Sequence, residues 1–180
     1  MIMKQIFNTE FNLISFYTKT EFDSSFKYFL RKESKVEIVI TNKISLFDNY
    51  ELLNFKIVKY VHDINDIFLS LKNIKDATII LDYYLSLIQK MKIRKFFSEL
   101  RKITYNQNIK IVFINQAYHN ILSGLVPSGP VEIMYVMDKI MIYDNNLISI
   151  IKSRYDEDNE LINIKKYNNY IRRKKLKNIL

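Results

Sequence analysis

Few side chains in this sequence have the types and spacing that catalysis or metal binding requires. The chain contains no cysteine, which excludes a cysteine nucleophile, a thiolate zinc site and a disulfide framework. His62 and His119 are the only histidines, so a metal cluster built on histidine is not expected. Two polar side chains close apolar runs that resemble buried strands: Asp82 ends ATIILD, and Gln116 ends IVFINQ. We therefore predict neither a metal site nor a bound cofactor.

A phosphate-binding loop would follow the first strand of a nucleotide-binding α/β domain, and the chain lacks its motif. In G-x-x-x-x-G-K-[ST] the glycines let backbone N–H groups wrap the phosphates, the lysine reaches the outer phosphates, and the hydroxyl binds magnesium. Here Tyr17 and Phe22 replace the glycines, Asp23 replaces the lysine, and only Ser24 matches. Asp23 would repel a triphosphate. Lys19 is the one cation in this segment that could reach a phosphate.

Asp82 has the form of the strand-end aspartate that holds magnesium through water in P-loop ATPases. An apolar run followed by an aspartate is common, however, and the alternative is a side chain that caps the turn after a strand. Because the phosphate-binding motif is missing, we favour the second interpretation.

Every glycine and proline of the chain lies within one short segment after the apolar run at residues 109–114. Glycine adopts backbone conformations that other residues resist, and proline fixes φ and removes a hydrogen-bond donor. The pattern predicts a strand that ends at Ile114 and an irregular loop over residues 117–131, where open α/β sheets bind ligands. A plain connection between two elements is the alternative. The four residues are Gly124, Pro127, Gly129 and Pro130.

Positive charge is concentrated at the end of the chain. The net charge is +9, and the last sixteen residues carry seven cations and no acid. Such a tail is typical of contact with nucleic acid or an acidic surface. A composition rich in Ile, Lys, Asn and Tyr could also follow from an AT-rich genome. Besides Lys165 and Lys166, the cations are those for which we predict DNA contact: Arg172, Arg173, Lys174, Lys175 and Lys177.

Apolar runs alternate with segments of helical periodicity over most of the chain. This alternation implies parallel βαβ units, and near-continuous apolar strands imply a sheet covered on both faces. We predict one α/β domain over residues 1–166, followed by a basic tail over residues 167–180. Strands are predicted at residues 11–17, 36–41, 55–61, 77–82 and 109–114, with closing antiparallel strands at 138–143, 147–153 and 160–166. Helices are predicted at residues 22–32, 63–73, 86–105 and 131–137, and residues 42–54 are mixed.

Two further assignments concern the predicted helices. Asp63 is placed to cap the N-terminus of the helix over residues 63–73. Apolar residues fit one broad face of the helix over residues 86–105, six cations crowd the rest, and we interpret this basic face as solvated. The six cations are Lys90, Lys92, Arg94, Lys95, Arg101 and Lys102.

No apolar run reaches the roughly 18 residues that a transmembrane helix needs. The first residues, MIMKQIFNTEF, lack the apolar stretch and cleavage site of a signal peptide. We therefore expect an intracellular protein without a membrane partner, cytoplasmic or, if the source is eukaryotic, nuclear.

Two segments resemble the RecA/RadA recombinase family, and within it the bacterial RadA and KaiC-like members most of all. IVFINQ lies about thirty residues after IILD and precedes a glycine-containing loop, like the core of that family. Residues 128–164 are similar to its closing section, where one strand starts at an aspartate and the next ends in a Lys-x-Arg signature, here Lys152-Ser153-Arg154. The likeness covers residues 11–166. It implies a RecA-like three-layer sandwich, a mostly parallel central sheet with antiparallel C-terminal strands, in which Asp82 and Gln116 lie on neighbouring strands.

The resemblance also implies roles for individual positions. In the family the strand-end glutamine senses the γ-phosphate and relays it to a DNA-contacting loop; Gln116 and residues 117–131 hold these positions. The catalytic glutamate of the family follows the second strand, where this chain has Thr41-Asn42-Lys43 and no carboxylate. Both the phosphate loop and the general base are therefore missing. We expect a scaffold without ATPase activity, in which Gln116 has no phosphate to sense and shapes the loop by a hydrogen bond.

These observations give one leading hypothesis and two rivals. The leading one is a catalytically inactive RecA-like paralogue that binds DNA as an accessory or regulatory factor in recombination, repair or replication. In the loop Tyr118, His119 and Asn120 would contact DNA, with aromatic rings stacking on unpaired bases. Leu122, Leu125 and Val126 could insert between bases, bind a protein or pack onto the domain. The first rival is an interaction subunit that pairs with an active RecA-family partner or with itself, without touching DNA. The second is a residual nucleotide binder that uses Lys19, Ser24 and Asp82.

Overall fold

The computed structural model describes residues 10–16, 38–41, 43, 55, 57–82, 84–88, 93–121, 124–144, 147–153 and 161–163. The predicted helix at 22–32, the mixed segment at 42–54 except residue 43, and the basic tail lie outside these ranges. No helix among the described residues is long and apolar enough to cross a bilayer. The strands are β1 (Phe11–Phe16), β2 (Ile38–Thr41), β3 (Ile57–Tyr60), β4 (Thr78–Asp82), β5 (Lys110–Asn120), β6 (Gly124–Pro127), β7 (Lys139–Asp144), β8 (Leu147–Ser153) and β9 (Leu161–Asn163). The helices are α1 (Ile64–Leu71), α2 (Leu85–Ile88), α3 (Ile93–Gln107) and α4 (Val131–Val136).

The strands form one sheet in the order β3-β2-β4-β5-β1-β7-β8-β9, with β6 paired to an extension of β5. All pairings from β3 across to β7 are parallel. The pairings of β7 with β8 and of β8 with β9 are antiparallel. The prediction of a mostly parallel sheet with antiparallel closing strands is confirmed.

The sheet is buried on both faces, as its apolar strands predict. On one face Phe11, Leu81 and Phe113 join a core with Phe97 and other residues of α1, α3 and α4. The ring centroids of Phe11 and Phe113 lie 5.3 Å apart, and those of Phe97 and Phe113 lie 5.5 Å apart, both edge to face. On the opposite face, the buried side chains include Ile14, Val39, Ile80, Val112 and Ile114.

The N-terminus of α1 carries the cap predicted from the sequence. The Asp63 carboxylate accepts hydrogen bonds from the backbone N–H groups of Asn65, at 2.7 Å, and Asp66, at 3.1 Å. The Asp66 carboxylate in turn accepts from the N–H groups of His62 and Asp63. This reciprocal capping box pairs amides that the first turn would leave without intrahelical partners.

Arg101 departs from the prediction of a solvated basic face on α3. Its guanidinium donates to the carboxylates of Glu10 and Asp138, each at 3.0 Å, and to the carbonyl of Val136 at 2.6 Å. It also lies over the Phe11 ring, 4.3 Å from the centroid. The assignment was wrong for this residue because two acids just before β1 and β7 become its partners only in the folded chain. Arg101 therefore ties α3 and α4 to the amino ends of two central strands.

Candidate nucleic-acid interface

The carboxyl ends of β2, β4 and β5 meet at one edge of the sheet, because these strands are parallel neighbours. Thr41 pairs with Asp82, and Asp82 pairs with Ile114. Gln116 lies two residues beyond Ile114, so Asp82 and Gln116 are on adjacent strands, as the resemblance implies. Asp82 is only 3% exposed, and Thr41 is fully buried beside it. The Thr41 hydroxyl accepts a hydrogen bond from the backbone N–H of Lys43 at 3.2 Å.

The predicted end of the fifth strand and the irregular loop after it were wrong. β5 continues through Asn120 and returns as β6 in an antiparallel hairpin, residues 117–127. Its pairs run from Ala117 opposite Pro127 to Asn120 opposite Gly124. Strand pairing satisfies backbone N–H and C=O groups that an irregular segment would leave to water. Pro127 is tolerated because it closes the last strand position, where a missing N–H costs little.

The base of the hairpin is closed by Asn115. Its side-chain oxygen accepts from the backbone N–H of Gln116 at 2.8 Å, and its side-chain nitrogen donates to the carbonyl of Ser128. The Ser128 N–H donates to the carbonyl of Gln116 at 2.7 Å. Gln116 thus shapes the segment through its backbone, while its side chain is exposed. The side chain that shapes the segment is that of Asn115, not that of Gln116 as the sequence suggested.

Gly129 fixes the exit from the hairpin. Its φ of +107° lies in a region that other residues rarely adopt. A Cβ at this position would lie 3.2 Å from Cδ1 of Leu85 and 3.4 Å from Cδ1 of Ile133. The exit therefore packs closely between α2, which follows Asp82, and α4. Here the prediction of a glycine-dependent backbone is confirmed.

The hairpin brings together three of the residues predicted to contact DNA. Tyr118 is 49% exposed and pairs across the strands with Val126. His119 is exposed, and Asn120 is half-buried. Ile121 at the turn is 95% exposed, the largest value among the exposed hydrophobic residues of the described chain. Sequence reasoning missed Ile121, although the Ser123-Gly124 dipeptide is a turn signal that places it near a hairpin tip.

Other predicted positions are either half-buried or outside the described residues. Leu125 and Val126 are half-buried in β6, so their burial does not select among base insertion, protein binding and packing onto the domain. The positions outside the described residues are Lys19, Ser24, Leu122, Arg172, Arg173, Lys174, Lys175 and Lys177.

No group of three or more His, Asp or Glu side chains that could hold a metal ion occurs among the described residues. A surface groove of about 530 Å³ lies between α1 and α3, lined partly by Phe68, Leu69 and Ile103. None of the site residues predicted from the sequence lines this groove.

Solved structures resemble the chain over most of its length. A crystal structure of the RadB recombinase covers 83% of this chain and 84% of its own, with a TM-score of 0.51 and 14% sequence identity. This chain has a RecA-like fold. A protein from Pyrococcus horikoshii OT3 covers 86% of this chain and 92% of its own, with a TM-score of 0.49 and 13% identity. No protein-family model and no curated protein matches the sequence. The RecA-like fold confirms the predicted fold class.

Proposed function

We propose that this chain is a RecA-fold protein that binds DNA through the hairpin at residues 117–127 and does not hydrolyse ATP. It would act as an accessory or regulatory factor in recombination, repair or replication. The observation that carries the proposal is a hairpin at the carboxyl edge of the parallel sheet. Hydrogen bonds from Asn115 close its base, and Tyr118 and Ile121 are exposed on it.

The chemistry of the hairpin suits unpaired bases. A tyrosine ring offers a stacking surface that any base can use, worth about 1–3 kcal/mol per base. Tyr118 is backed by Val126 on the paired strand, so its position does not depend on a free loop. The net charge of +9 favours a polyanion, because bound cations release counterions from phosphates. The predicted basic tail would add to this term.

The absence of hydrolysis is proposed from the groups that hydrolysis needs. Residues 17–24 match the phosphate-loop motif only at Ser24, and no carboxylate occurs within Thr41-Asn42-Lys43. Asp82, the remaining candidate for a magnesium ligand, is 3% exposed. We expect no heat of binding when ATP and magnesium are titrated into the protein. A saturable heat would favour the rival hypothesis of a residual nucleotide binder.

The DNA proposal can be tested by fluorescence anisotropy with labelled oligothymidine at low salt. Tyr118→Ala should weaken binding about 5- to 150-fold, the effect of losing one stacked base. Tyr105→Ala is a matched control, because Tyr105 is 83% exposed on α3, away from the hairpin. Binding should also weaken with added salt, and less steeply after residues 167–180 are deleted. Undetectable binding at low salt, or equal affinity for the two tyrosine variants, would reject the proposal.

A protein partner is the second candidate function, and one surface favours it. Val131 and Tyr135 lie one turn apart on α4 and are 51% and 73% exposed. Aromatic side chains of this kind are enriched at protein interfaces. Light scattering of the protein, alone and with an active RecA-family recombinase, tests this candidate. A complex that forms without DNA and is lost in Tyr135→Ala would support it.

A further inference from the structure

The hairpin begins where β5 leaves its parallel neighbours. The last parallel pair on one side is Phe16 with Gln116, and the first antiparallel pair is Ala117 with Pro127. Ser128 follows β6, and both of its backbone groups are held at this junction. One of the two bonds comes from the Asn115 side chain rather than from a backbone ladder. The attachment of the hairpin base to the sheet therefore depends in part on the rotamer of Asn115.

A second possible partner for Asn115 lies beside it in the sheet. Ser15 of β1 is the register partner of Asn115, so the two side chains point to the same face of adjacent strands. Adjacent strands lie about 4.8 Å apart, which is within reach of a rotated asparagine side chain. Ser15 is fully buried, and its hydroxyl has no hydrogen-bond partner among the described residues. Burying such a group without a partner is unfavourable, so a hydrogen bond from Asn115 would remove this cost, while the Ser128 carbonyl would lose its donor.

We propose that Asn115 is the positioning residue of the hairpin and that Ser15 is its alternative partner. When the Asn115 amide donates to the Ser128 carbonyl, the base of the hairpin is held as described, and we call this contact the clasp. With the amide turned to the Ser15 hydroxyl, the Ser128 carbonyl is released, and the hairpin can move about its attachment to β5. Gly129, packed on Leu85 and Ile133, is the fixed point beyond the clasp.

The two partners compete for one side chain. Because the carboxamide is planar, turning its nitrogen toward Ser15 also takes its oxygen off the Gln116 N–H, so both contacts of the held arrangement change together. The structure has the held arrangement, which leaves the Ser15 hydroxyl unpaired. A ligand that binds the held hairpin would draw the equilibrium toward the Ser128 contact, since a ligand stabilises the state it prefers. The consequence for DNA rests on the proposed function, whereas the exchange between partners does not.

Hydrogen–deuterium exchange of the full chain tests the clasp without any ligand. Asn115→Ala should speed exchange of the amides in residues 117–128 about five- to tenfold, the effect of losing the hydrogen bond to the Ser128 carbonyl, since the other lost bond lies outside this range. Ser15→Ala should slow exchange of the same amides, because the competing partner is gone. Ser98→Ala, at an exposed position on α3, is the control and should leave the hairpin amides unchanged. Exchange in residues 79–82 of β4 reports global opening, so each change in hairpin exchange is taken relative to β4 in the same variant.

The response to Ser15→Ala decides the proposal even if Asn115→Ala does not fold. Hairpin exchange in Ser15→Ala that is unchanged or faster relative to β4 would overturn it, because a serine that does not compete for Asn115 leaves the hairpin no more firmly held when it is removed. Unchanged exchange in a folded Asn115→Ala would also overturn it. If hairpin exchange responds as expected but the protein does not bind oligothymidine, the exchange of partners by Asn115 stands and the DNA function is rejected. If oligothymidine binding depends on Tyr118 but hairpin exchange does not respond as expected, the DNA function stands and the exchange of partners is rejected.

Discussion

Replacing Arg101 with methionine is expected to lower the free energy of unfolding by about 2–4 kcal/mol. Breaking a buried ion pair costs about 3–5 kcal/mol, because it leaves a charge without its partner, whereas exposed pairs contribute about 0–1 kcal/mol. The side chain of Asp138 is 6% exposed, which places its pair near the buried limit. The side chains of Arg101 and Glu10 are 31% and 29% exposed, so water screens the second pair. After the substitution the Asp138 carboxylate would still accept the hydrogen bond from the backbone N–H of Phe11, at 2.9 Å, and this contact reduces the expected loss of stability.

Methionine is chosen because it retains an apolar stem over the Phe11 ring while removing the charge. Urea denaturation of the full chain measures the change, and Arg94→Met on the exposed side of the same helix is the control. The double variant Arg101→Met/Asp138→Asn should cost less than the sum of its parts, because a neutral amide needs no buried counter-charge. A cost for Arg101→Met within about 0.5 kcal/mol of that for Arg94→Met, the usual range for surface substitutions, would refute the reasoning.

Three further predictions concern the backbone, the core and a helix cap. Gly129→Ala should destabilise the fold by about 1–3 kcal/mol, since it combines a strained positive φ with a close contact to Leu85, and denaturation measures it. Tyr84 is fully buried with an unpaired hydroxyl, and burial raises the pKa of this hydroxyl. The unfolded state therefore loses the proton at a lower pH than the folded state, and the free energy of unfolding should fall as pH rises above about 10. Tyr84→Phe should reduce this alkaline loss and cost no stability at neutral pH; a clear neutral-pH loss would point to a hidden partner. Asp63→Ala should cost about 1 kcal/mol, and Asp66→Ala should cost less than Asp63→Ala in the same denaturation assay.

The parallel part of the fold could be predicted because its signal is local. A strand that is buried on both faces is apolar at nearly every position, as in ATIILD. Its composition alone therefore distinguishes it from the neighbouring segments. The observed β4 and β8 differ from the predicted spans by no more than one residue. Asp63 was predicted as a cap for the same reason, since a cap is set by residues within one turn.

The hairpin and the Arg101 network could not be predicted in this way. Ala117 and Asn120 have low strand propensity, and Gly124 and Pro127 usually interrupt strands, so local preference indicated a loop. Pairing between the two segments overrides that preference. Arg101 looked like one cation among six, because its acidic partners are 91 and 37 residues away in sequence. Contacts at such separations leave no periodicity in a single sequence.

β5 runs unbroken from Lys110 to Asn120, and successive side chains of a strand point to opposite faces. The face that each core residue of β5 occupies therefore sets the face of each hairpin residue. Ile114, on the face away from α3, shares its side with Tyr118, and Phe113, on the other face, shares its side with Ala117. One residue inserted or deleted between Ile114 and Tyr118 would exchange the two sides along the hairpin, placing His119 on the side that Tyr118 now occupies. Length variation at this junction should therefore be tolerated only in steps of two, whereas the turn around Ile121 can change by single residues.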